Sequence, residues 1–278
     1  MSTAEPSGER AVRAVAFDLD GTLYMGRQAV PGAPQVVAHV RDSGLDVLFL
    51  TNTSSVDPRR LAERLAGLGI TARPGEIYSS ASVAARYVAE RGHEVVYAVG
   101  LPGLRDELVA HGLRLTEQAA AAQALVVGFA PGFDATTLPC AFRAECEFVA
   151  ANLDADYPGD GGRRLPAARE TIDKVAARLG RAYDFCAGKP GTYMLECVER
   201  DLGLIASDIV VVGDSVTSDI AMARAAGCRS ILIAPEGSAG GGAGAVVSRL
   251  TDVPAALRTL GAHLAESAPA PGVGAESG

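Results

Sequence analysis

Two aspartates separated by one residue, Asp18 and Asp20, follow an apolar run near the beginning of the sequence. On an extended backbone, side chains at positions i and i+2 point to the same side. Gly21 comes next, and glycine lets the backbone turn sharply without a steric penalty from a Cβ atom. Because Asp and Gly are also ordinary turn residues, the alternative is a polar turn that only ends a strand. The spacing alone leaves both interpretations open.

Three further segments place polar or charged groups beside a predicted strand or helix. Thr51 and Asn52 follow a second apolar run, and hydroxyl and amide groups there can donate hydrogen bonds to an anionic oxygen. Lys189 immediately precedes a predicted helix, and Asp214 and Asp219 follow a later apolar run. Since ligands of open α/β sheets bind at the carboxyl ends of the strands, we expect these groups to share one site.

The segments together offer carboxylates, a hydroxyl group and a lysine ammonium group. Close carboxylates repel one another unless a hard divalent cation joins them, and oxygen ligands suit Mg²⁺. Such a cation and Lys189 would together form an anion site. One aspartate of the first pair is then a candidate nucleophile toward a phosphoryl group, and the carboxylate two residues later is a candidate general acid–base.

Short runs of apolar residues alternate with helical patterns along most of the sequence. Runs that are apolar on both faces are typical of parallel strands covered by helices, and the alternation predicts an α/β fold. Asp57 as N-cap and Pro58 at the first helical position predict the start of one helix. The predicted strands are residues 12–17, 47–50, 95–99, 125–127, 209–212 and 231–233. The predicted helices are residues 34–41, 59–68, 170–179 and 192–202.

The composition fits a folded protein and argues against several classes of function. The chain has 278 residues, of which 48% are hydrophobic, and a formal net charge of −8. The apolar content excludes a disordered or fibrous chain, and the acidic balance argues against binding to nucleic acid or to an anionic membrane. No apolar run approaches the roughly 20 residues of a membrane helix. The five cysteines show no zinc or disulfide spacing. We therefore predict a cytoplasmic protein.

The ordered motifs D-x-D-G-T-L, T-N, G-K-P and V-V-G-D-S-x-x-S-D-I resemble those of the haloacid-dehalogenase-like (HAD) phosphatase superfamily, over about residues 11–260. Thr51 and Lys189 are much further apart than one crossover requires, which implies an inserted cap domain. The segments L-Y-M-G-R-Q-A-V-P-G-A, T-N-T-S and A-A-N-L-D are similar to the class IIA branch, which comprises NagD-like and para-nitrophenylphosphatase-like enzymes. The resemblance implies a Rossmann-like parallel-sheet core with an α/β cap.

The resemblance also implies a division of the chain. We expect the core at residues 11–83 and 185–264, and the cap at residues 84–184. The tails, residues 1–10 and 265–278, are predicted to be disordered because they are rich in small and polar residues. Caps of this branch often dimerise, so a homodimer formed through the cap is a further expectation.

Catalytic roles follow from the resemblance residue by residue. Asp18 is expected to attack phosphorus and become an aspartyl-phosphate. Asp20 is expected to protonate the leaving alcohol and then to deprotonate the hydrolytic water. Thr51 and the backbone of Asn52 would hold a phosphoryl oxygen, and Lys189 would neutralise the charge on nucleophile and phosphate.

The resemblance assigns the remaining residues to metal and substrate. Mg²⁺ would be bound by Asp18, by the main-chain carbonyl of Asp20 and by Asp214, while Asp219 would act behind these ligands or through a water molecule. Gly21 belongs to the expected phosphate site.

In the cap, Asn152 and Asp154 would contact the substrate. Most members of the family have Asn-Pro-Asp where this chain has Asn152-Leu153-Asp154, and Pro166-Ala167-Ala168 replaces a segment that commonly contains glycine. Both departures lie where the cap should meet the leaving group, so the sequence does not identify the natural substrate.

The sequence thus predicts a Mg²⁺-dependent phosphatase that hydrolyses small-molecule phosphate monoesters through an aspartyl-phosphate. Sugar phosphates, glycerol phosphate, phosphoglycolate and nucleotides are all acceptable substrates for the family. One alternative is a phosphomutase or phosphotransferase on the same core. The other is a non-catalytic module that binds a phosphorylated ligand, but such a module is expected to lack at least one catalytic group, and all of them are present here.

Overall fold

The apolar runs form two parallel β-sheets in the computed structural model, which describes residues 11–158 and 163–264. The predicted tails lie outside the described residues. The prediction of a parallel-sheet α/β fold is confirmed. Among the described residues, no helix is long and apolar enough to cross a membrane.

The first sheet has six strands, all parallel. They are β1 (Ala14–Asp18), β4 (Asp46–Thr51), β5 (Ile77–Ser79), β13 (Ile209–Gly213), β14 (Arg229–Ile233) and β15 (Ala245–Val247). Their order across the sheet is β15-β14-β13-β1-β4-β5, so β1 lies in the middle between β13 and β4. The carboxyl ends of β13, β1 and β4 therefore lie side by side.

The second sheet has five parallel strands. They are β6 (Val95–Val99), β7 (Arg114–Leu115), β8 (Ala124–Val127), β9 (Glu147–Ala150) and β12 (Phe185–Cys186). Their order is β12-β9-β8-β6-β7. Two antiparallel pairs complete the strands of the described residues. One is the hairpin of β2 (Tyr24–Met25) and β3 (Gln28–Ala29), and the other joins β10 (Asp156–Pro158) to β11 (Arg164–Pro166).

Eight α-helices connect and cover the strands in the described part of the chain. They are α1 (Ala33–Asp42), α2 (Pro58–Gly67), α3 (Ser80–Glu90), α4 (Pro102–Ala110), α5 (Ala168–Leu179), α6 (Tyr193–Leu202), α7 (Ala221–Ala226) and α8 (Val253–Thr259). Helix α2 begins where the sequence predicts, because the Asp57 carboxylate accepts hydrogen bonds from the backbone N–H groups of Arg59 and Arg60. Helix α6 ends at Gly203, which has the left-handed conformation common after helices.

Strand β1 shows how the sheet separates two apolar layers. Val15 and Phe17 face the layer that contains buried residues of α1, α2 and α8, whereas Ala14 and Ala16 face the opposite layer. The second layer continues without a break into the second sheet, where Val126 belongs to it. The two sheets are thus joined by one apolar cluster. A third cluster lies between the second sheet and α5.

The predicted division into core and cap stays a prediction, but the positions of two elements bear on it. Helix α3 runs across the predicted first boundary at residue 84. Strand β12, which begins one residue after the predicted second boundary at residue 184, pairs with β9 in the second sheet. The loop that carries Lys189 therefore leaves the second sheet, not the first.

Candidate active site

The carboxyl ends of three neighbouring strands bring the predicted site residues together. Strand β1 ends at Asp18, β4 ends at Thr51, and Asp214 directly follows β13. Because these strands are parallel neighbours, the three side chains reach the same edge of the first sheet. This edge opens into a cavity of about 660 Å³. Its lining includes nine of the predicted residues, namely Asp18, Asp20, Thr51, Asn52, Asn152, Asp154, Lys189, Asp214 and Asp219.

Lys189 lies between two buried carboxylates in the charged cluster, which consists of Asp18, Lys189 and Asp219. Its Nζ donates to Asp18 Oδ1 at 2.5 Å, to Asp219 Oδ1 at 2.7 Å and to the carbonyl oxygen of Leu50 at 3.3 Å. Burial by itself would lower the pKa of Lys189, but the two carboxylates raise it well above its usual value. Lys189 is therefore a permanent cation at this site.

Three carboxylates here are close enough to share one cation. Asp18, Asp214 and Asp219 each offer an oxygen, and these oxygens lie within 4.8 Å of one another. Burial raises the pKa of Asp18 well above its usual value against the opposing effect of Lys189, and the nearby Asp219 and Asp214 raise it further. Asp18 Oδ2 is buried and has no hydrogen-bond partner among the described residues. An all-oxygen donor set with an unpartnered oxygen fits a hard divalent cation.

Asp214 and Gly21 are in close contact at this edge. Asp214 is exposed to the cavity, yet the surrounding protein removes enough water to raise its pKa to about 6, and the charge of Asp219 adds to this. Gly21 has a φ of 96°, and a Cβ atom there would collide with the carboxylate of Asp214. The backbone N–H of Gly21 donates to the carbonyl of Tyr24 at 2.8 Å. Gly21 therefore contributes space and a turn, since its N–H is already bonded.

Asp20 lies beside two residues that the sequence did not single out. The hydroxyl of Tyr24 donates to Asp20 Oδ2 at 3.0 Å, and the guanidinium carbon of Arg64 lies 4.0 Å from the centre of the Tyr24 ring. Burial raises the pKa of Asp20, although the charge of Arg64 and the hydrogen bond from Tyr24 oppose the increase. A carboxyl group that keeps its proton nearer to neutral pH is suited to general acid catalysis.

Thr51 and Asn52 have different environments although they are neighbours. Thr51 is buried, and its Oγ1 accepts a hydrogen bond from the backbone N–H of Thr53 at 3.1 Å. The Asn52 side chain donates to Asp154 Oδ1 at 2.9 Å and to the carbonyl of Lys189 at 3.0 Å, and its Oδ1 accepts the Lys189 N–H at 2.8 Å. The Asn52 amide therefore joins the first sheet to two loops that leave the second sheet.

The cap residues predicted to contact substrate also lie at this junction. Asn152 is buried, and its Nδ2 donates to the Asn52 carbonyl at 2.7 Å and to Ser80 Oγ at 3.3 Å. Its Oδ1 accepts the backbone N–H of Asp154 at 3.1 Å. Burial raises the pKa of Asp154 against the hydrogen bond from Asn52. Asn152 thus holds the loop in place, whereas Asp154 presents a carboxylate to the cavity.

Sequence reasoning missed Tyr24, Arg64 and Thr22, whose Oγ1 lies 3.5 Å from Asp214 Oδ1. Tyr24 carries a weak signal, because a tyrosine that becomes buried needs a partner for its hydroxyl. Arg64 carries none, since its contact with Tyr24 depends on how α2 packs beside the β2–β3 hairpin.

Known proteins resemble this chain in sequence and in fold. A family model described as haloacid dehalogenase-like hydrolase matches residues 15–114, and a second, HAD-hydrolase-like model matches residues 186–263. Rat chronophin is 33% identical over 232 residues, which are 78% of this chain and 75% of chronophin. The sugar-phosphatase AraL of Bacillus subtilis is 29% identical over 79% of this chain and 82% of its own length. The fold is also similar to a crystal structure of a glycerol phosphate phosphatase from Mycobacterium tuberculosis in complex with calcium, with a TM-score of 0.71. The two sequences are 31% identical, and the match covers 80% of this chain and 66% of that chain.

Proposed function

The chain belongs to the haloacid dehalogenase-like hydrolase family, as its ordered motifs predict, and on that basis we propose that it is a Mg²⁺-dependent phosphatase of small-molecule phosphate monoesters. The observation that carries this proposal is the charged cluster at the carboxyl edge of the first sheet. In it, Lys189 donates to one oxygen of Asp18, while the other oxygen is buried and has no hydrogen-bond partner within residues 11–158 and 163–264.

In the first half of the proposed reaction, Asp18 is the nucleophile. A carboxylate oxygen of Asp18 attacks phosphorus, a bond forms between them, and the bond from phosphorus to the ester oxygen breaks. Asp20 gives its proton to that departing oxygen, so the alcohol leaves in neutral form. Lys189 stays bonded to the cluster and balances the negative charge that gathers around phosphorus.

In the second half, a water molecule hydrolyses the aspartyl-phosphate. Asp20 is now a carboxylate and takes a proton from the water as its oxygen bonds to phosphorus. The bond between phosphorus and Asp18 then breaks, which restores the Asp18 carboxylate and releases inorganic phosphate. Thr51 and the backbone N–H of Asn52 are proposed to orient a phosphoryl oxygen in both halves.

The metal is proposed to be held by the side chains of Asp18 and Asp214 and by the main-chain carbonyl of Asp20. Asp219 supports this site from behind through Lys189 and through the backbone N–H of Ser215, which its Oδ2 accepts at 3.1 Å. When bound, Mg²⁺ supplies positive charge that lets the nucleophile and the phosphoryl group approach. The calcium in the related glycerol phosphate phosphatase supports a divalent cation in general.

The substrate class is proposed to be a phosphate ester with a small polar leaving group. The names of two relatives, a sugar-phosphatase and a glycerol phosphate phosphatase, support this class. The cavity is also lined by Asp154, Asp156 and Arg164, together with Phe129 and Tyr157, and we assign these residues to the side of the leaving group. Carboxylates and a guanidinium can bond hydroxyl groups of a polyol or sugar. A cytoplasmic location and a homodimer formed through residues 84–184 stay predictions.

The test of this proposal is release of inorganic phosphate from p-nitrophenyl phosphate and from a panel of sugar and polyol phosphates. Activity is expected with Mg²⁺ and is expected to be lost on chelation and to return when Mg²⁺ is added back. Asp18→Asn should reduce turnover by at least about 10⁴-fold, because it removes the nucleophile. The exposed substitution Glu145→Gln is the control and should leave activity unchanged.

Three outcomes would contradict the proposal. Activity that persists in Asp18→Asn, or that is indifferent to a chelator, would exclude the assigned nucleophile or metal. Little net phosphate release, together with dependence on a bisphosphate activator, would indicate a phosphomutase instead. Binding of phosphate esters without turnover would indicate a non-catalytic module.

A further inference from the structure

The Tyr24 side chain is buried behind Asp20 and makes one directional contact with it. Tyr24 has no exposed surface, and its hydroxyl donates to Asp20 Oδ2 at 3.0 Å. We propose that Tyr24 is a positioning residue, held by Arg64, that orients the Asp20 carboxyl group toward the leaving oxygen of the substrate. This inference rests on the proposed function, in which Asp20 is the general acid.

The hydrogen bond favours one oxygen of Asp20 for the acidic proton. In a protonated carboxyl group the carbonyl oxygen is the better hydrogen-bond acceptor. The bond from Tyr24 to Oδ2 therefore favours the proton on Oδ1. The same bond restrains rotation of the carboxyl group, so that Oδ1 keeps one direction. General acid catalysis requires such a fixed donor within hydrogen-bond reach of the leaving oxygen.

The segment that carries Tyr24 is itself restrained from both ends. Its backbone N–H donates to the carbonyl of Leu19 at 3.2 Å, and its carbonyl accepts from the N–H of Gly21 at 2.8 Å. These bonds fold residues 19–24 into a tight turn. The Tyr24 hydroxyl can therefore reach the carboxyl group of Asp20, although the two residues are only four positions apart.

Arg64 covers the other face of this unit. Its guanidinium carbon lies 4.0 Å from the centre of the Tyr24 ring, which is within the range of a cation–π contact. Its Nη2 also donates to the carbonyl of Gly26 at 2.6 Å, on the turn between β2 and β3. Arg64 therefore fixes both the ring and the hairpin that carries it. Helix α2 thereby supports the general acid without touching it.

If Tyr24 positions the general acid, the loss of its hydroxyl should affect substrates differently according to their leaving groups. A merely structural role of Tyr24 does not predict this difference. The leaving alcohol departs in the first half of the reaction, and kcat/KM reports the steps up to that departure. An alkyl alcohol is a poor leaving group and needs the proton, whereas p-nitrophenolate departs readily without it. The second half starts from the same aspartyl-phosphate for every substrate. Loss of the Tyr24 hydroxyl should therefore affect kcat/KM according to the leaving group.

The experiment compares Tyr24→Phe with the wild type on two substrates. One is p-nitrophenyl phosphate, and the other is the alkyl phosphate that the wild type hydrolyses fastest among glycerol 3-phosphate and a panel of sugar phosphates. We expect kcat/KM for the alkyl ester to fall by about 10-fold or more, because the lost hydrogen bond is made to a carboxyl group that becomes charged as it gives up its proton. For p-nitrophenyl phosphate we expect a loss of less than about threefold.

Two variants on one helix extend the test in case Tyr24→Phe does not fold. Arg64→Met keeps the stem but removes the cation, and it should lower kcat/KM for the alkyl ester by about threefold more than for p-nitrophenyl phosphate. Arg59→Met, on the exposed face of α2 and outside the cavity lining, is the matched control and should change neither value.

Equal losses for both substrates in Tyr24→Phe and Arg64→Met would overturn the inference, because such losses would indicate a structural role only. That result is distinct from failure of the proposed function, in which the wild type would release phosphate from neither substrate.

Discussion

Two clusters of polar groups in this protein contain a partly or fully buried carboxylate. They differ in how the oxygens of that carboxylate are hydrogen-bonded. In the charged cluster, one oxygen of Asp18 is bonded to Lys189, and the other has no hydrogen-bond partner in the part of the chain that the structure describes. In the second cluster, at the beginning of β9, both oxygens of Glu147 are bonded. Its Oε1 accepts from the Tyr87 hydroxyl at 2.7 Å, and its Oε2 lies 2.7 Å from His93 Nε2.

The pKa values of the two carboxyl groups reflect this difference. Burial raises the pKa of Asp18 well above its usual value, and two further aspartates raise it more. For Glu147, burial also acts to raise the pKa, but the hydrogen bonds from Tyr87 and His93 and the charge of Arg91 outweigh burial and lower it. The second cluster is therefore complete within the chain. The charged cluster is incomplete, which is expected of a site that binds something.

Among the substitutions that compare these two clusters, Lys189→Arg is expected to have the largest effect. All three N–H directions of the buried Lys189 ammonium group are used in hydrogen bonds. A planar guanidinium with five donors cannot reproduce that arrangement. We expect turnover of p-nitrophenyl phosphate to fall by roughly 10²–10³-fold, while the protein stays folded.

The matched control is Lys174→Arg, since 23 of the 25 basic residues are arginines and Lys174 is the one other lysine. Lys174 is partly exposed on α5 and pairs with Glu170 at 2.7 Å. It should accept arginine without loss of activity. Normal turnover in Lys189→Arg would contradict this prediction. It would show that the charged cluster works equally well with an ammonium or a guanidinium group, so its geometry would not be specific to lysine.

A smaller effect is expected from Asp219→Asn. Asp219 is 1% exposed and accepts hydrogen bonds from both Lys189 and the backbone N–H of Ser215. Neutralising it leaves Lys189 with one carboxylate and changes the charge behind the proposed metal ligands. The Mg²⁺ concentration for half-maximal activity should rise by roughly 10–100-fold, as for other groups that support metal ligands.

Asp208→Asn is the control for Asp219→Asn. Asp208 is also buried but precedes β13, at the opposite edge of the first sheet, and its Oδ2 accepts the Ile205 N–H at 3.2 Å. This variant should lose stability without any change in the Mg²⁺ requirement. If both variants change the Mg²⁺ requirement equally, Asp219 has no specific part in the site.

Much of the fold could be predicted because the strands are apolar on both faces. The predicted strand 95–99 coincides with β6, and the predicted helix 192–202 differs from α6 by one residue. The sequence did not show that β12 joins the second sheet, because a strand of two residues has no periodicity. It also did not show β15, which follows a glycine-rich segment that predicts only a loop.

The candidate site likewise contains some features that could be predicted from the sequence and others that could not. Asp18, Asp20 and Asp214 lie at strand ends, where residue type and position indicate chemistry directly. The contacts of Tyr24 and Arg64 could not be predicted, since they depend on a hairpin and on the face that one helix turns toward it. Asn52 was predicted as part of the phosphate site, but its bonds to two loops of the second sheet depend on the packing of distant segments.

The smallest effect, and the one that tests the second cluster directly, is expected from Glu147→Gln. The substitution keeps the shape of the side chain but removes the charge that Tyr87, His93 and Arg91 surround. Burial and the bond to Glu147 raise the pKa of Tyr87 to about 12, so the hydroxyl remains a donor throughout the range of measurement. Unfolding by urea at pH 7 should show a loss of about 1.5 kcal/mol in the free energy of unfolding. Activity should not change.

The stability that the Glu147 carboxylate contributes should decrease as the pH falls. The pKa of Glu147 is lower in the folded protein than its usual value of 4.5, so the folded state binds the proton less readily than the unfolded state. The stability that the charge contributes is therefore fully present above about pH 4.5 and decreases as the pH falls through the folded pKa. The difference between wild type and variant should accordingly shrink in acid. Glu145→Gln, at an exposed glutamate two residues earlier, should change stability by less than about 0.5 kcal/mol at every pH. The difference in free energy of unfolding between wild type and Glu147→Gln could instead stay constant down to pH values below the folded pKa. Glu147 would then stabilise the fold by its shape and not by its charge. In that case the two clusters would not differ in the way that their hydrogen bonds indicate.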